Sequence, residues 1–240
     1  MDNNKIGIVC LHGAGLNSSI WNNLKPLLNF PVLAIDFPNR GNEGNSNKNL
    51  TFNDYTESVI DQINKWEKDK IILAVHSIGG CVGKKVAEHF EKKIVGIIGI
   101  GAIIPLNGHS FASSMPFPQN ILLPVLLKLF GTKPPETAIE KELCNDLTPK
   151  ETTQIVKHFT PESILLYTSK ITSKNSYSNT LYIKLSNDKS LPLDLQEKMA
   201  KNLNSSKILT LESGHLPMIS KAGQLSEIIN SFADTVQKEL

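Results

Sequence analysis

The stretch Ile71-Ile72-Leu73-Ala74-Val75-His76-Ser77-Ile78-Gly79-Gly80 decides how the rest of the chain is read. Its continuous apolar run, Ile71–Val75, suits a strand buried on both faces rather than one that alternates between core and solvent. A helical pattern follows Gly79 and Gly80 at once. Ser77 therefore sits on a tight strand-to-helix turn, where small neighbours let its hydroxyl project from the sheet. The helix N-terminus behind it offers free backbone N–H groups and the positive end of a dipole, which suit a developing oxyanion. A Ser-x-Gly turn by itself is a weak signal, so the rest of the chain has to supply its partners.

Working outward, Ile6–Leu11, Val32–Ile35, Ile94–Ile100, Leu181–Leu185 and Lys207–Leu211 also read as strands. Phe52, Tyr55, Val59, Ile63 and Trp66 follow helical spacing, as do Leu225, Ile228, Ile229, Phe232 and Val236. Strands alternating with helices predict the α/β class, with a doubly wound, mostly parallel sheet of about six strands. Between 105 and 179 no convincing strand is legible, so residues 105–179 are expected to form a helical cap inserted into a core of 1–104 and 180–240. Thr148-Pro149-Lys150-Glu151 has the pattern of a capping box with proline at the first helical position. Thr160-Pro161-Glu162 reads as a second helix start without the reciprocal glutamate. Phe111, Met115, Phe117 and Ile121–Phe130 make the early cap unusually apolar. Packing is the default expectation for each of them, with some lining a substrate pocket as a hypothesis.

Three further segments stand where strands end. His12-Gly13-Ala14-Gly15 follows the first strand, and its glycines let backbone N–H groups turn toward the serine. It lacks the Gly-x-Gly-x-x-Gly spacing and the Lys-Ser/Thr ending of phosphate loops. Gly214-His215-Leu216-Pro217-Met218 follows the last strand and puts a histidine on the sheet edge where open α/β sheets gather their active sites. Asp188, in Ser186-Asn187-Asp188-Lys189, lies just past Leu181–Leu185, where a buried carboxylate can accept the histidine's other N–H. His12 is read as structural, His76 as directed away from the serine, and His89, His109 and His158 as surface or packing residues. Asp194 lies inside the following helical pattern.

The turn at Ser77 resembles the nucleophile elbow of the α/β-hydrolase family, and the order oxyanion loop, serine, aspartate, histidine is the one that family uses. The resemblance covers essentially the whole chain outside the cap. It implies Ser77 as nucleophile, His215 as base and Asp188 as acid, with the N–H groups of Ala14 and Ile78 as oxyanion donors. It implies neither a metal nor an organic cofactor. Asp36, in Ile35-Asp36-Phe37-Pro38-Asn39-Arg40-Gly41, is similar to the family's structural aspartate. Members that carry the acid one strand earlier would place it in Gly101-Ala102-Ile103-Ile104, which has no carboxylate. The chain departs from the pattern at Val75, where the family has glycine and a β-branched side chain crowds the turn. Gly-His-Leu-Pro-Met-Ile-Ser-Lys at 214–221 is similar to the branch of plant-type methyl esterases and hydroxynitrile lyases. Those lyases carry lysine directly after the histidine, and Leu216 stands there instead, which favours an esterase. Ser77 argues against dehalogenases and epoxide hydrolases, which use aspartate. The resemblance thus points to hydrolysis of a small carboxylic ester through an acyl-enzyme. Thioester, lactone and C–C bond hydrolysis stay open, as does a ligand-binding protein with little turnover, which Val75 alone favours.

Composition narrows the partners. The chain has 240 residues and a formal net charge of +2, with lysines spread rather than clustered, so no nucleic-acid footprint is expected. Cys10, Cys81 and Cys144 have no Cys-x-x-Cys spacing, which gives neither a disulfide framework nor a zinc site. Cys10 and Cys81 lie in apolar runs and read as buried small hydrophobes. Met1 to Lys5 is polar without a signal-peptide pattern. Ile121–Phe130, the longest apolar stretch, is interrupted by Pro124 and Lys128 and is too short to span a bilayer. The expectation is a soluble, cytoplasmic protein acting on a small ester-type molecule, its oligomeric state open.

Overall fold

The computed structural model describes residues 6–41, 46–173, 177 and 179–240. Met1 to Lys5, read as a polar lead-in, lie outside the described residues. Strand β1 (Ile6–Leu11) is followed by two short 3₁₀ turns, Ser18–Trp21 and Lys25–Leu27, and by β2 (Val32–Ile35). Helix α1 (Phe52–Asn64), strand β3 (Lys70–His76), helix α2 (Gly79–His89) and strand β4 (Ile94–Ile100) come next. Helices α3 (Phe111–Ser114), α4 (Gln119–Phe130), α5 (Glu136–Ala138), α6 (Pro149–Lys157) and α7 (Ile164–Thr168) occupy the interval before β5. Strand β5 (Thr180–Leu185), helix α8 (Leu193–Asn202), strand β6 (Lys207–Leu211) and helices α9 (Pro217–Ser220) and α10 (Ala222–Lys238) complete the chain.

The six strands form one sheet in the order β2-β1-β3-β4-β5-β6, every neighbouring pair parallel. After β1 the chain goes outward to β2, then returns across β1 to β3. The loops leaving β1 and β3 therefore diverge at the carboxyl edge, the topological switch point where such sheets open a crevice. Leu11 pairs with Val75, so the loop after β1 lies beside the turn after β3.

Alternate residues of the central strands feed two cores. Leu73 and Val75 join Tyr55, Val59, Val82, Val86 and Met199 under α1, α2 and α8. Ile72 and Ala74 join Trp21, Leu225, Ile229 and Phe232 under the first 3₁₀ turn and α10. Burial on both faces is why these strands read as unbroken apolar runs. Each fully buried Ile or Leu contributes about 1.5–3 kcal/mol of transfer free energy.

Among the described residues the β4–β5 interval adds no strand to the sheet, only an isolated bridge between His109 and Ile171. The capping box at Thr148 forms as the sequence predicts: Thr148 N–H donates to Glu151 Oε2 at 2.9 Å. The helix start expected at Thr160 does not form. Helix α7 begins only at Ile164, capped by Ser163, because Thr160 and Glu162 are drawn into contacts with the core. The expectation of packing also fails for Phe117 and for part of α4: Phe117, Ile121, Val125, Leu129 and Phe130 are exposed. Among the described residues no helix is long and apolar enough to cross a membrane. All three cysteines are buried and free, and burial pushes the Cys10 thiol up to about 12.

Candidate active site

Ser77 is the first residue past β3, and its φ of 53° lies in the left-handed region that L side chains avoid. Such a conformation costs about 1–3 kcal/mol and persists only where its surroundings over-determine it. Here Ser77 N–H donates to Ile100 O at 3.4 Å, while Ser77 O accepts from Gly80 N–H at 3.1 Å and Ile103 N–H at 2.9 Å. The turn packs so closely that a Cβ on Gly80 would stand 2.5 Å from Ile103 O. The crowding expected from Val75 is relieved across the strand–helix contact. A Cβ on Gly83 of α2 would stand 2.5 Å from Val75 Cγ1. The bulk at this contact is on the strand and not on the helix, and the turn has its positive φ.

Asp188 and His215 meet behind this turn. His215 Nδ1–H donates to Asp188 Oδ2 at 2.7 Å, and the two side chains are 2% and 0% exposed. The other carboxylate oxygen accepts from Ser190 N–H at 2.8 Å and Leu191 N–H at 3.0 Å. Buried Gln196 of α8 stitches the same loop: Oε1 accepts from Leu185 N–H at 2.7 Å, and Nε2 donates to Leu191 O at 2.7 Å. Holding Nδ1 as the protonated nitrogen leaves Nε2 as the basic one. Asp194 is exposed in the first turn of α8, away from this pair.

His76 does turn away from the serine, but into the site's foundation. Its Nε2–H donates to His215 O at 2.8 Å, and the two rings lie 4.6 Å apart. Burial, reinforced by the neighbouring His215, holds its pKa well below the ordinary histidine value, so the ring is neutral. His12 is also neutral, its pKa lowered to about 3 by burial and then by Arg40. Its Nδ1–H donates to Gly13 O at 2.7 Å, and its Nε2 accepts from Phe37 N–H at 3.1 Å. Asp36 accepts from Ser18 N–H at 2.6 Å and Ser18 Oγ–H at 2.9 Å, a turn-building role.

The loop after β1 is gripped from the β4–β5 interval. Gly15 N–H donates to Glu162 Oε1 at 3.0 Å, and Gly15 O accepts from Thr160 N–H at 2.9 Å. Glu162 also pairs with Arg40, both side chains almost fully buried, and accepts from Tyr55 Oη–H at 3.0 Å. Arg40 Nε–H donates to Leu16 O at 2.7 Å. Local sequence does not mark this cluster, because Tyr55 and Arg40 lie 107 and 122 residues from Glu162.

Ser77, His215, Gly13 and Ala14 line one cavity of ≈ 470 Å³ beneath the β4–β5 helices. Phe111, Met115, Leu122, Leu126, Phe159 and Leu191 form much of its apolar wall. Ile78 contributes its backbone to the turn, while its side chain is buried in the α1–α2 core. A larger groove of ≈ 590 Å³ lies between the first 3₁₀ turn and α6, but neither Ser77 nor His215 reaches it. Ser77 and His215 both line the smaller cavity, which makes it the candidate site.

Residues 8–228 match the profile of the Alpha/beta hydrolase family. Norfluorocurarine synthase 1 of Strychnos nux-vomica is 27% identical over 253 residues, covering 95% of each chain. Polyneuridine aldehyde esterase of Rauvolfia serpentina is 25% identical over 255 residues, again covering 95% of each. An extracellular alpha/beta-hydrolase from a Paenibacillus species superposes with a TM-score of 0.83 at 21% identity, over 94% of this chain and 98% of its own.

Proposed function

The chain belongs to the Alpha/beta hydrolase family, and on that footing we propose that it is a serine esterase acting through Ser77, His215 and Asp188. The observation that carries this reading is the buried 2.7 Å contact between Asp188 and His215, set beneath a cavity that Ser77 and His215 share. The esterase among the relatives supports ester over thioester, lactone or C–C bond. The binding-only alternative drew on Val75, and the space that Gly83 leaves for this side chain weighs against it.

In this mechanism His215 Nε2 takes the Ser77 hydroxyl proton as Oγ attacks the ester carbonyl. The Asp188 carboxylate stabilises the imidazolium through Nδ1–H. The N–H groups of Ala14 and Ile78, both in turns at the sheet edge, would receive the oxyanion. His215 then protonates the leaving alcohol, and the Ser77 acyl-enzyme remains. Water, deprotonated by His215, attacks that ester and returns the carboxylic acid and free Ser77. The apolar wall favours an uncharged ester of small-molecule size, and ≈ 470 Å³ is within the ordinary range for such ligands.

Ser77→Ala tests the reading with a short p-nitrophenyl ester. The expected fall in kcat is roughly three orders of magnitude or more. A Ser77→Ala protein that keeps the parent rate contradicts it.

A further inference from the structure

We propose that Asp146, contributed by the β4–β5 interval and not by the sheet, is a positioning residue for His215. The proposal rests on the serine-esterase reading, and it makes the cap part of the catalytic geometry as well as a cover for substrate.

Asp146 follows Cys144 and Asn145 in the turn that leads to α6, and it does not line the cavity. Its Oδ2 nevertheless gathers donors from the loop on both sides of His215. Gly214 N–H approaches at 2.6 Å, Ser220 Oγ at 2.8 Å and Ser213 Oγ at 3.2 Å. Its Oδ1 is buried with no hydrogen-bond partner. Contacts of an amide with a charged acceptor are about twice as strong as neutral ones. The glycine before His215 is explained by the same carboxylate, because a Cβ on Gly214 would run into Asp146 Oδ1 and the Asn145 side chain. Asn145 extends the clasp: its Nδ2–H donates to Asn187 O, next to Asp188, at 2.9 Å. Asn187 N–H in turn donates to Ser213 O at 3.0 Å.

His215 is thus held at three points. Asp146 fixes the amide before it, His76 fixes its own carbonyl, and Asp188 fixes its ring. Removing Asp146 frees the Gly214 amide and two hydroxyls, and the base loop loses its tie to the cap. A base displaced by a fraction of an ångström abstracts the Ser77 proton less well, while the wall that binds substrate is unchanged. The loss should fall on kcat and not on KM.

The test compares Asp146→Ala with Asp146→Asn, which keeps an acceptor oxygen in place. Four quantities are read: kcat and KM on a short p-nitrophenyl ester, the rate at which a fluorophosphonate labels the protein, and the melting temperature. Asp146→Ala is expected to lower kcat and the labelling rate together by about tenfold or more, with KM within about twofold. Asp146→Asn should recover most of both. Parental kcat and labelling in Asp146→Ala overturn the proposal, as does a change confined to KM, or a loss that Asp146→Asn does not recover. If Asp146→Ala fails to fold, the Ser213→Ala, Ser220→Ala double variant removes two of the three donors. A lowered kcat there supports the role, and an unchanged one overturns it. A parent protein that neither turns over ester nor labels overturns the esterase reading and this proposal with it, whereas a labelled, active parent with unaffected Asp146 variants overturns this proposal alone.

Discussion

Val75 and Gly83 show how one departure from a motif is absorbed. The valine stands two residues before Ser77 and is fully packed between β3 and α2, and the glycine is what gives it room. Gly83→Val should overpack the contact and destabilise the protein by about 1–3 kcal/mol. Val75→Gly should cost about 2 kcal/mol or more, through a void and a freer strand backbone. Combined, the two changes restore complementary volumes, so the double variant should be more stable than the sum of the single losses implies. Urea unfolding of all four proteins measures this coupling, and strict additivity would show that the two sites are independent. The valine is visible in the sequence because it breaks a pattern. The compensating glycine is not, since nothing local says which residue of α2 faces it.

The strands and the helix start at Thr148 were legible for local reasons: unbroken apolar runs and a reciprocal capping pair. Glu162 misled for the complementary reason. Thr160-Pro161-Glu162 has the look of a helix start, yet its acid serves Arg40, Tyr55 and the Gly15 amide, all distant in sequence. The apolar run of α4 was likewise ambiguous, since composition cannot separate a wall facing a cavity from a face turned outward. Because Arg40 and Glu162 are both buried, Glu162→Gln leaves the guanidinium without its counter-charge. That change should cost about 3–5 kcal/mol in urea unfolding. It should also loosen the loop after β1, which Glu162 reaches through Gly15. A loss below about 1 kcal/mol would mean that solvent replaces the carboxylate readily.

For the molecule as a whole, the parallel sheet brings the segments at 12–15, 77, 188 and 215 to one edge. Their order along the chain and their places at strand ends carried the family resemblance that nominated the site. The ties from the β4–β5 interval to that edge, through Glu162 and Asp146, needed the folded chain. The two neutral buried histidines give the fold a common acid sensitivity. In the unfolded chain each binds a proton below about pH 6.5, whereas folded His12 resists protonation until about 3 and His76 is held well below its ordinary value. The unfolded state therefore binds more protons in this window, so stability is complete above about pH 6.5 and declines as the pH falls toward 3. The slope is about 1.4 kcal/mol per pH unit for each histidine. Urea midpoints at pH 7.5, 6 and 5 should fall in that order, and a flat series would mean that both rings can be protonated in the folded state.

The chemistry itself is tested most directly by mapping a fluorophosphonate adduct on the intact protein by mass spectrometry. A serine activated by His215 and Asp188 predicts one adduct, on the peptide carrying Ser77, absent from Ser77→Ala and strongly reduced in His215→Ala. An adduct on a different residue, or an ester-hydrolysing protein whose Ser77 stays unlabelled, would contradict it.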